Sequence, residues 1–117
     1  MDATSLAVCV QSTGGVIVGV DLAKNVFQLC VADTAWRPVE SQRLSRAQFE
    51  RWFANRAVSR VVMEACGSAH HWARWLAVLG IQVTLLPARY VRAYVKRNKI
   101  DAADAAALLE AARCADL

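Results

Sequence analysis

Four carboxylates stand where they could share one piece of chemistry. Asp21 directly follows the apolar run Val16-Ile17-Val18-Gly19-Val20, and Glu64 closes a second run, Arg60-Val61-Val62-Met63-Glu64. Both runs read as buried central strands. Groups at strand ends lie at the rim of a layered α/β sheet, where sites form. If the two strands are neighbours, their carboxylates can converge. Asp101 and Asp104 are three apart at the start of an Ala-, Leu- and Glu-rich stretch that reads as a helix over 101–113, so they project from one face. Carboxylates brought together repel one another. Two divalent cations roughly 3.5–4 Å apart would neutralise them, and oxygen-only ligands favour Mg2+ or Mn2+ over zinc. Such a site suits phosphodiester chemistry, one ion activating a water or hydroxyl and the other stabilising the leaving oxygen.

Each acid also has a plainer reading. Asp21 could begin a hairpin turn, and Glu64 could be a solvated strand end. Asp101 could cap a helix, with Asp104 a first-turn acid favoured by the helix dipole. Taken singly, none of them identifies an enzyme.

Directly before Asp101 lies a basic stretch. Arg89, Arg92, Lys96, Arg97 and Lys99 place five of the 14 cations within eleven residues. Residues 88–97 read as a helix in which Arg92 and Lys96 share a face and Val91 and Val95 could face the core. Tyr90 and Tyr94 are spaced to stack or hydrogen-bond together. Beside a metal site these cations could hold the phosphates of DNA or RNA, positioning a backbone without reading sequence. A solvated charged face is the alternative. Lys24 could approach a phosphate or pair with an acid, or simply be a surface lysine. The adjacent His70 and His71 cannot both point into one site from a helix and read as helix surface. Ser68 has no His–Asp arrangement behind it and reads as a helix cap.

The elements that must position these groups follow from pattern. Val26-Phe27-Gln28-Leu29-Cys30-Val31 is close enough to the first run to make an antiparallel hairpin. Trp36-Arg37-Pro38 marks a turn, and Val39 to Leu44 reads as an edge strand. Ser45 with Gln48 has the spacing of a capping box, Leu44 and Phe49 that of a hydrophobic staple. Phe49, Trp52 and Phe53 then fall on one helical face. A second helix opens near Gly67-Ser68 and carries the stripe Trp72, Trp75, Leu76, Leu79, ending at Gly80. Ile81 to Leu86 reads as a strand stopped by Pro87. The order is β-β-β-α-β-α-β-α-α, which predicts an α/β mixed sheet with helices on its faces.

Size and composition bound the rest. The chain has 117 residues, 56% of them apolar and 21% charged, which suits one globular domain over 16–117 preceded by a loosely ordered leader over 1–15. A net charge of +4 and a pI of about 9.2 hint mildly at an anionic partner. Cys9, Cys30, Cys66 and Cys114 lack zinc-knuckle spacing and read as reduced, mostly buried thiols. No apolar run approaches the ~18 residues of a membrane span, and the start of the chain lacks the Lys or Arg of a secretory signal. A cytoplasmic protein is expected.

Three stretches carry a family resemblance. Gly19-Val20-Asp21-Leu22-Ala23-Lys24 is the first. Val61-Val62-Met63-Glu64-Ala65-Cys66-Gly67 with Ala69-His70-His71-Trp72-Ala73-Arg74 is the second. The third and most specific runs from Leu86-Pro87-Ala88-Arg89-Tyr90 through Ile100-Asp101-Ala102-Ala103-Asp104-Ala105. Over roughly residues 16–115 the chain resembles the DEDD-type transposases of bacterial insertion sequences, the IS one-ten family. Their nuclease domain is similar to the RuvC Holliday-junction resolvases. The resemblance implies an RNase H-like fold and a metal-dependent DNA nuclease or strand-transfer activity. It also implies that Asp21, Glu64, Asp101 and Asp104 are the DEDD ligands of Mg2+ or Mn2+, two ions in all. Ala93 and Ile100 stand where the family often has proline and threonine, and neither replaces a ligand. The family usually continues into a second domain with a nucleophilic serine, which is expected to be missing after Leu117. The resemblance also implies that strand exchange needs both halves, directed by an RNA that the element encodes, and a homo-oligomer is expected of the full-length protein.

Two rival functions are compatible with the same residues. One is a non-catalytic remnant that binds nucleic acid or a full-length subunit. The other is a sugar-kinase-like or actin-like ATPase half, which needs a glycine-rich phosphate loop after the first strand. Asp21-Leu22-Ala23-Lys24-Asn25 contains no glycine and argues against it.

Overall fold

A computed structural model of the chain describes residues 15–23, 25–92 and 101–115, with the side chains of the last stretch described over 105–114. Residues 1–14 of the leader expected over 1–15 lie outside them. The described elements are β1 (Val16–Leu22), β2 (Val26–Ala32), β3 (Pro38–Ser45), α1 (Arg46–Trp52), β4 (Val58–Glu64), α2 (Gly67–Val78), β5 (Gln82–Leu86), α3 (Ala88–Arg92) and α4 (Asp101–Ala115). This is the order expected from pattern.

The strands form one sheet in the order β3-β2-β1-β4-β5. β1 pairs antiparallel with β2 and parallel with β4, β2 pairs antiparallel with β3, and β4 pairs parallel with β5. β3 is therefore an edge strand, as expected, and β1 sits at the centre. The mixed five-stranded sheet with helices is the RNase H-like α/β arrangement. The parallel crossovers from β1 to β4 and from β4 to β5 require intervening chain, which α1 and α2 supply.

Alternation along each strand sends side chains to two cores. Val18, Val20, Phe27, Leu29, Val31, Val61 and Met63 pack under α1 and α2 with Phe49, Trp72 and Leu76. Ile17, Cys30, Ala32, Val62 and Leu86 pack under α4 with Leu108, Leu109 and Ala112. The first core is aromatic: Phe27, Phe49, Trp72 and Trp75 meet edge to face, with Phe49 and Trp72 centroids 5.1 Å apart. α4 instead presents alanines, so its backbone can lie close to the sheet.

The helix signals act where they stand. Ser45 accepts from the Gln48 amide and the Gln48 side chain accepts from the Ser45 amide, closing the capping box. Leu44 and Phe49 are both buried. Gly80 takes φ +84, the Gly80 amide donates to Ala77 and the Ile81 amide to Leu76, which together make a Schellman ending to α2.

Four local expectations need correction. Cys66, extended at φ −160 and ψ 175, is the N-cap of α2, so Ser68 lies inside the first turn rather than at the cap. Leu79 falls beyond the end of the helix and is 50% exposed, leaving Trp72 and Leu76 as the buried part of the stripe. Cys66 is exposed and Cys114 half-buried, so of the described cysteines Cys30 alone is buried. β1 runs on through Asp21 to Leu22 because both residues pair with β2, and Asp21 therefore does not begin the turn.

Candidate nuclease site at the strand ends

Strand register brings the first two acids together. β1 and β4 run parallel with Val20 opposite Met63, and Asp21 and Glu64 are the next residues of the two strands. Register partners share a sheet face. Asp21 follows Ile17 and Gly19, and Glu64 follows Val62, on the face that α4 covers. The two acids thus occupy adjacent strand ends on one face and at one rim. Asp21 is half-buried and Glu64 exposed.

The row continues to both sides. Gln28 is opposite Asp21, Arg43 is opposite Gln28, and Leu86 is opposite Glu64. Arg43, Gln28, Asp21, Glu64 and Leu86 therefore cross all five strands in a line on the α4 face. Gln28 is 7% exposed, and its amide nitrogen donates to the Ser41 hydroxyl at 3.0 Å.

α4 reaches this face through Gly19. A Cβ there would stand 2.6 Å from the Ala105 carbonyl oxygen and 3.0 Å from Leu109 Cγ. The start of α4 therefore lies across the middle of β1, two residues upstream of Asp21. Asp104 is next to Ala105 in the chain, and Asp101 is one helical turn before it. The side chains of Asp101 and Asp104 lie outside the described residues. Among those described, no three His, Cys, Asp or Glu groups are close enough to hold a metal.

α3 leaves the same rim directly after β5. Val91 is buried, as its spacing predicts, and Arg89 and Arg92 are exposed. Lys24, Lys96, Arg97 and Lys99 lie outside the described residues, as do Tyr94 and Val95. His70 and His71 are both on the exposed surface of α2. A groove of about 610 Å³ with a mixed lining that includes Glu50, Phe53, Arg56, Trp75 and Leu79 opens where β4 and β5 begin and involves none of the four acids. Composition and periodicity do not single out Gln28. Gly19 could have been noticed as a glycine inside a β-branched strand, a mark of close backbone approach.

A family profile of DEDD transposases of the IS110 type, described as "Transposase", matches residues 18–117. The chain belongs to this transposase family. Its relatives include the transposase for insertion sequence element IS1111A of Coxiella burnetii, 46% identical over 101 residues, covering 86% of this chain and 28% of that protein. A probable family 20 transposase of Pseudomonas aeruginosa is 47% identical over 95 residues, covering 81% of this chain and 28% of that protein. A putative transposase of Sinorhizobium fredii is 42% identical over 94 residues, covering 80% of this chain and 24% of that protein. The chain thus spans about a quarter of the length of the curated relatives it matches. No helix among its described residues is long and apolar enough to cross a membrane.

Proposed function

We propose that this domain cleaves or transfers DNA phosphodiester bonds at a divalent-metal site formed by Asp21, Glu64, Asp101 and Asp104. The observation that carries the reading is the register of β1 and β4, which places Asp21 and Glu64 side by side at one rim of the sheet. The close seat of Ala105 on Gly19 supports it, because that contact brings the start of α4 to the same face.

The donor set fits Mg2+ or Mn2+. The paired groups are hard carboxylate oxygens, and Glu64 is exposed enough for a substrate as large as DNA to reach. When bound, the ions would activate the attacking hydroxyl or water and stabilise the leaving oxygen.

The chain's own residues supply position and charge. Asp21 and Glu64 project from strands that are paired on both sides, which limits their freedom to separate. Asp101 and Asp104 would complete the set from the first turn of α4. Arg89 and Arg92, with Lys24, Lys96, Arg97 and Lys99, would neutralise phosphates beside the acids and fix the strand without reading its sequence. Over the whole protein, the same reading assigns strand exchange to a second, serine-bearing domain, an RNA guide and a homo-oligomer, all acting on DNA in the cytoplasm.

The test is calorimetric titration of the purified chain with Mn2+, joined to nicking of supercoiled plasmid. The chain should bind Mn2+ and nick DNA. Asp21→Asn and Glu64→Gln should lose both properties while keeping the circular dichroism of the parent. Absence of any binding heat from the unaltered chain sinks the reading.

A further inference from the structure

We infer that Arg43 on β3 holds a phosphate of the DNA strand that enters the site, so that the strand lies across the antiparallel half of the sheet as well as along α3. The inference rests on the proposed nuclease function and adds a contact outside the basic stretch before Asp101.

Geometry carries it. Arg43 is two strands from Asp21 through the pairs Arg43–Gln28 and Gln28–Asp21. Neighbouring strands lie roughly 4.8 Å apart, which puts its backbone about 10 Å from that of Asp21. β3 runs in the same direction as β1 and β4, so Arg43 lies at the rim where Asp21 and Glu64 stand. It shares their face and is exposed. Between them Gln28 is buried, its amide tied to Ser41, which leaves a firm polar floor. Gln28 is the polar side chain that the folded sheet buries among the described residues.

Charge points the same way. Arg89 and Arg92 stand on the short helix that leaves the end of β5, the sheet edge opposite β3. Arg43 lies on the other side. Cations at both ends of a carboxylate pair suit a polyanion that crosses it, whereas cations at one end would suit a strand that stops there. Edge strands do carry charges that block sheet-to-sheet pairing. That role would be met by a cation anywhere on β3 and does not require one in register with Asp21.

The experiment is fluorescence anisotropy of a labelled DNA oligonucleotide, single-stranded and duplex, with RNA of the same sequence in parallel. Ca2+ replaces Mn2+ so that nothing is cut, and affinity is followed against salt. The proteins are the unaltered chain, Arg43→Ala, Arg43→Lys and Arg37→Ala. The last removes the same charge from the β2–β3 loop at the opposite rim. Arg43→Ala should weaken DNA binding and lower the slope of log K against log salt by roughly 0.7–0.9, the contribution of one phosphate contact. Arg43→Lys should keep that slope, and Arg37→Ala should match the unaltered chain. An unchanged slope in Arg43→Ala overturns the inference and leaves the metal site standing, since Mn2+ binding is measured separately. A loss confined to RNA overturns the assignment to the DNA strand. Failure of the unaltered chain to bind any oligonucleotide at low salt overturns this inference and the DNA reading together.

Discussion

Gly19 lies so close beneath Ala105 that a Cβ on it would stand 2.6 Å from the Ala105 carbonyl oxygen. The obstructing atom belongs to helix backbone, so no side-chain rotation can relieve the clash. Gly19→Ala should therefore lift the start of α4 off the sheet. The cost should be about 1–3 kcal/mol, the range for overpacked cores. That exceeds the roughly 0.4–1 kcal/mol an alanine gains by restricting the unfolded chain. Urea unfolding measures the difference. Under the proposed site, Mn2+ affinity should fall in the same variant, because Asp101 and Asp104 ride on the displaced turn. A variant as stable as the parent would show that α4 can shift freely.

Metal binding should be visible as stability. A ligand held by the folded state alone stabilises it by about 2.7 kcal/mol at a hundred times its Kd. Unfolding in Mn2+ and in EDTA should differ by about that amount in the unaltered chain. Asp21→Asn and Glu64→Gln should both stay folded in EDTA, and Glu64→Gln should unfold there no earlier than the parent, since it removes one of two like charges on adjacent strands. Neither should gain from Mn2+. A variant that keeps the full increment would remove its residue from the proposed ligand set.

Much of this was legible locally. β-Branched runs mark β1, β2 and β4, Ser45 with Gln48 marks the start of α1, and Gly80 marks the end of α2. What local pattern cannot carry is pairing. Asp21 and Glu64 are neighbours because β1 and β4 run parallel, and the row from Arg43 to Leu86 exists only once five strands are in register. Pairing also explains the misplacements. Asp21 looks like a turn residue until its pairing with Gln28 holds it extended. Cys66 follows an apolar run, yet β4 ends at Glu64, so the thiol emerges at the surface. Asp101 and Asp104 are placed on α4, whereas their meeting with Asp21 and Glu64 is the proposed step.

The capping box gives a prediction on folding alone. Ser45 and Gln48 satisfy one another's backbone amides at 3.2 and 2.8 Å. α1 is only seven residues long, too short to hold itself together without its cap and its packing. Ser45→Ala should cost about 1 kcal/mol, seen as a melting temperature lower by about 4 °C for a domain of this size. α1 lies on the face away from the carboxylates. Mn2+ affinity should therefore be unchanged, which separates a loss of stability from damage to the site.

The loop from β2 to β3 supplies a pH dependence. Asp33 Oδ1 accepts from the amides of Ala35 at 2.9 Å and Arg37 at 3.0 Å, and the Arg37 side chain stands 3.5 Å from Oδ2. The Arg37 backbone hydrogen bond, followed by that of Ala35 and the guanidinium charge, holds the Asp33 carboxyl below its ordinary value. A carboxyl depressed by folding stabilises the native state fully above its unfolded pKa. That stabilisation disappears as pH falls through the folded value. Stability measured by urea from about pH 6 to about pH 3 should therefore include a decline due to Asp33. Asp33→Asn can still accept a hydrogen bond from the loop amides but cannot titrate, so its curve should fall less steeply over that window. If the two curves run parallel, the loop's hydrogen bonds to the carboxylate do not favour its charged form, and the turn that delivers β3 to the sheet edge is held by its backbone hydrogen bonds between Asp33 and Arg37 and between Trp36 and Asp33 instead.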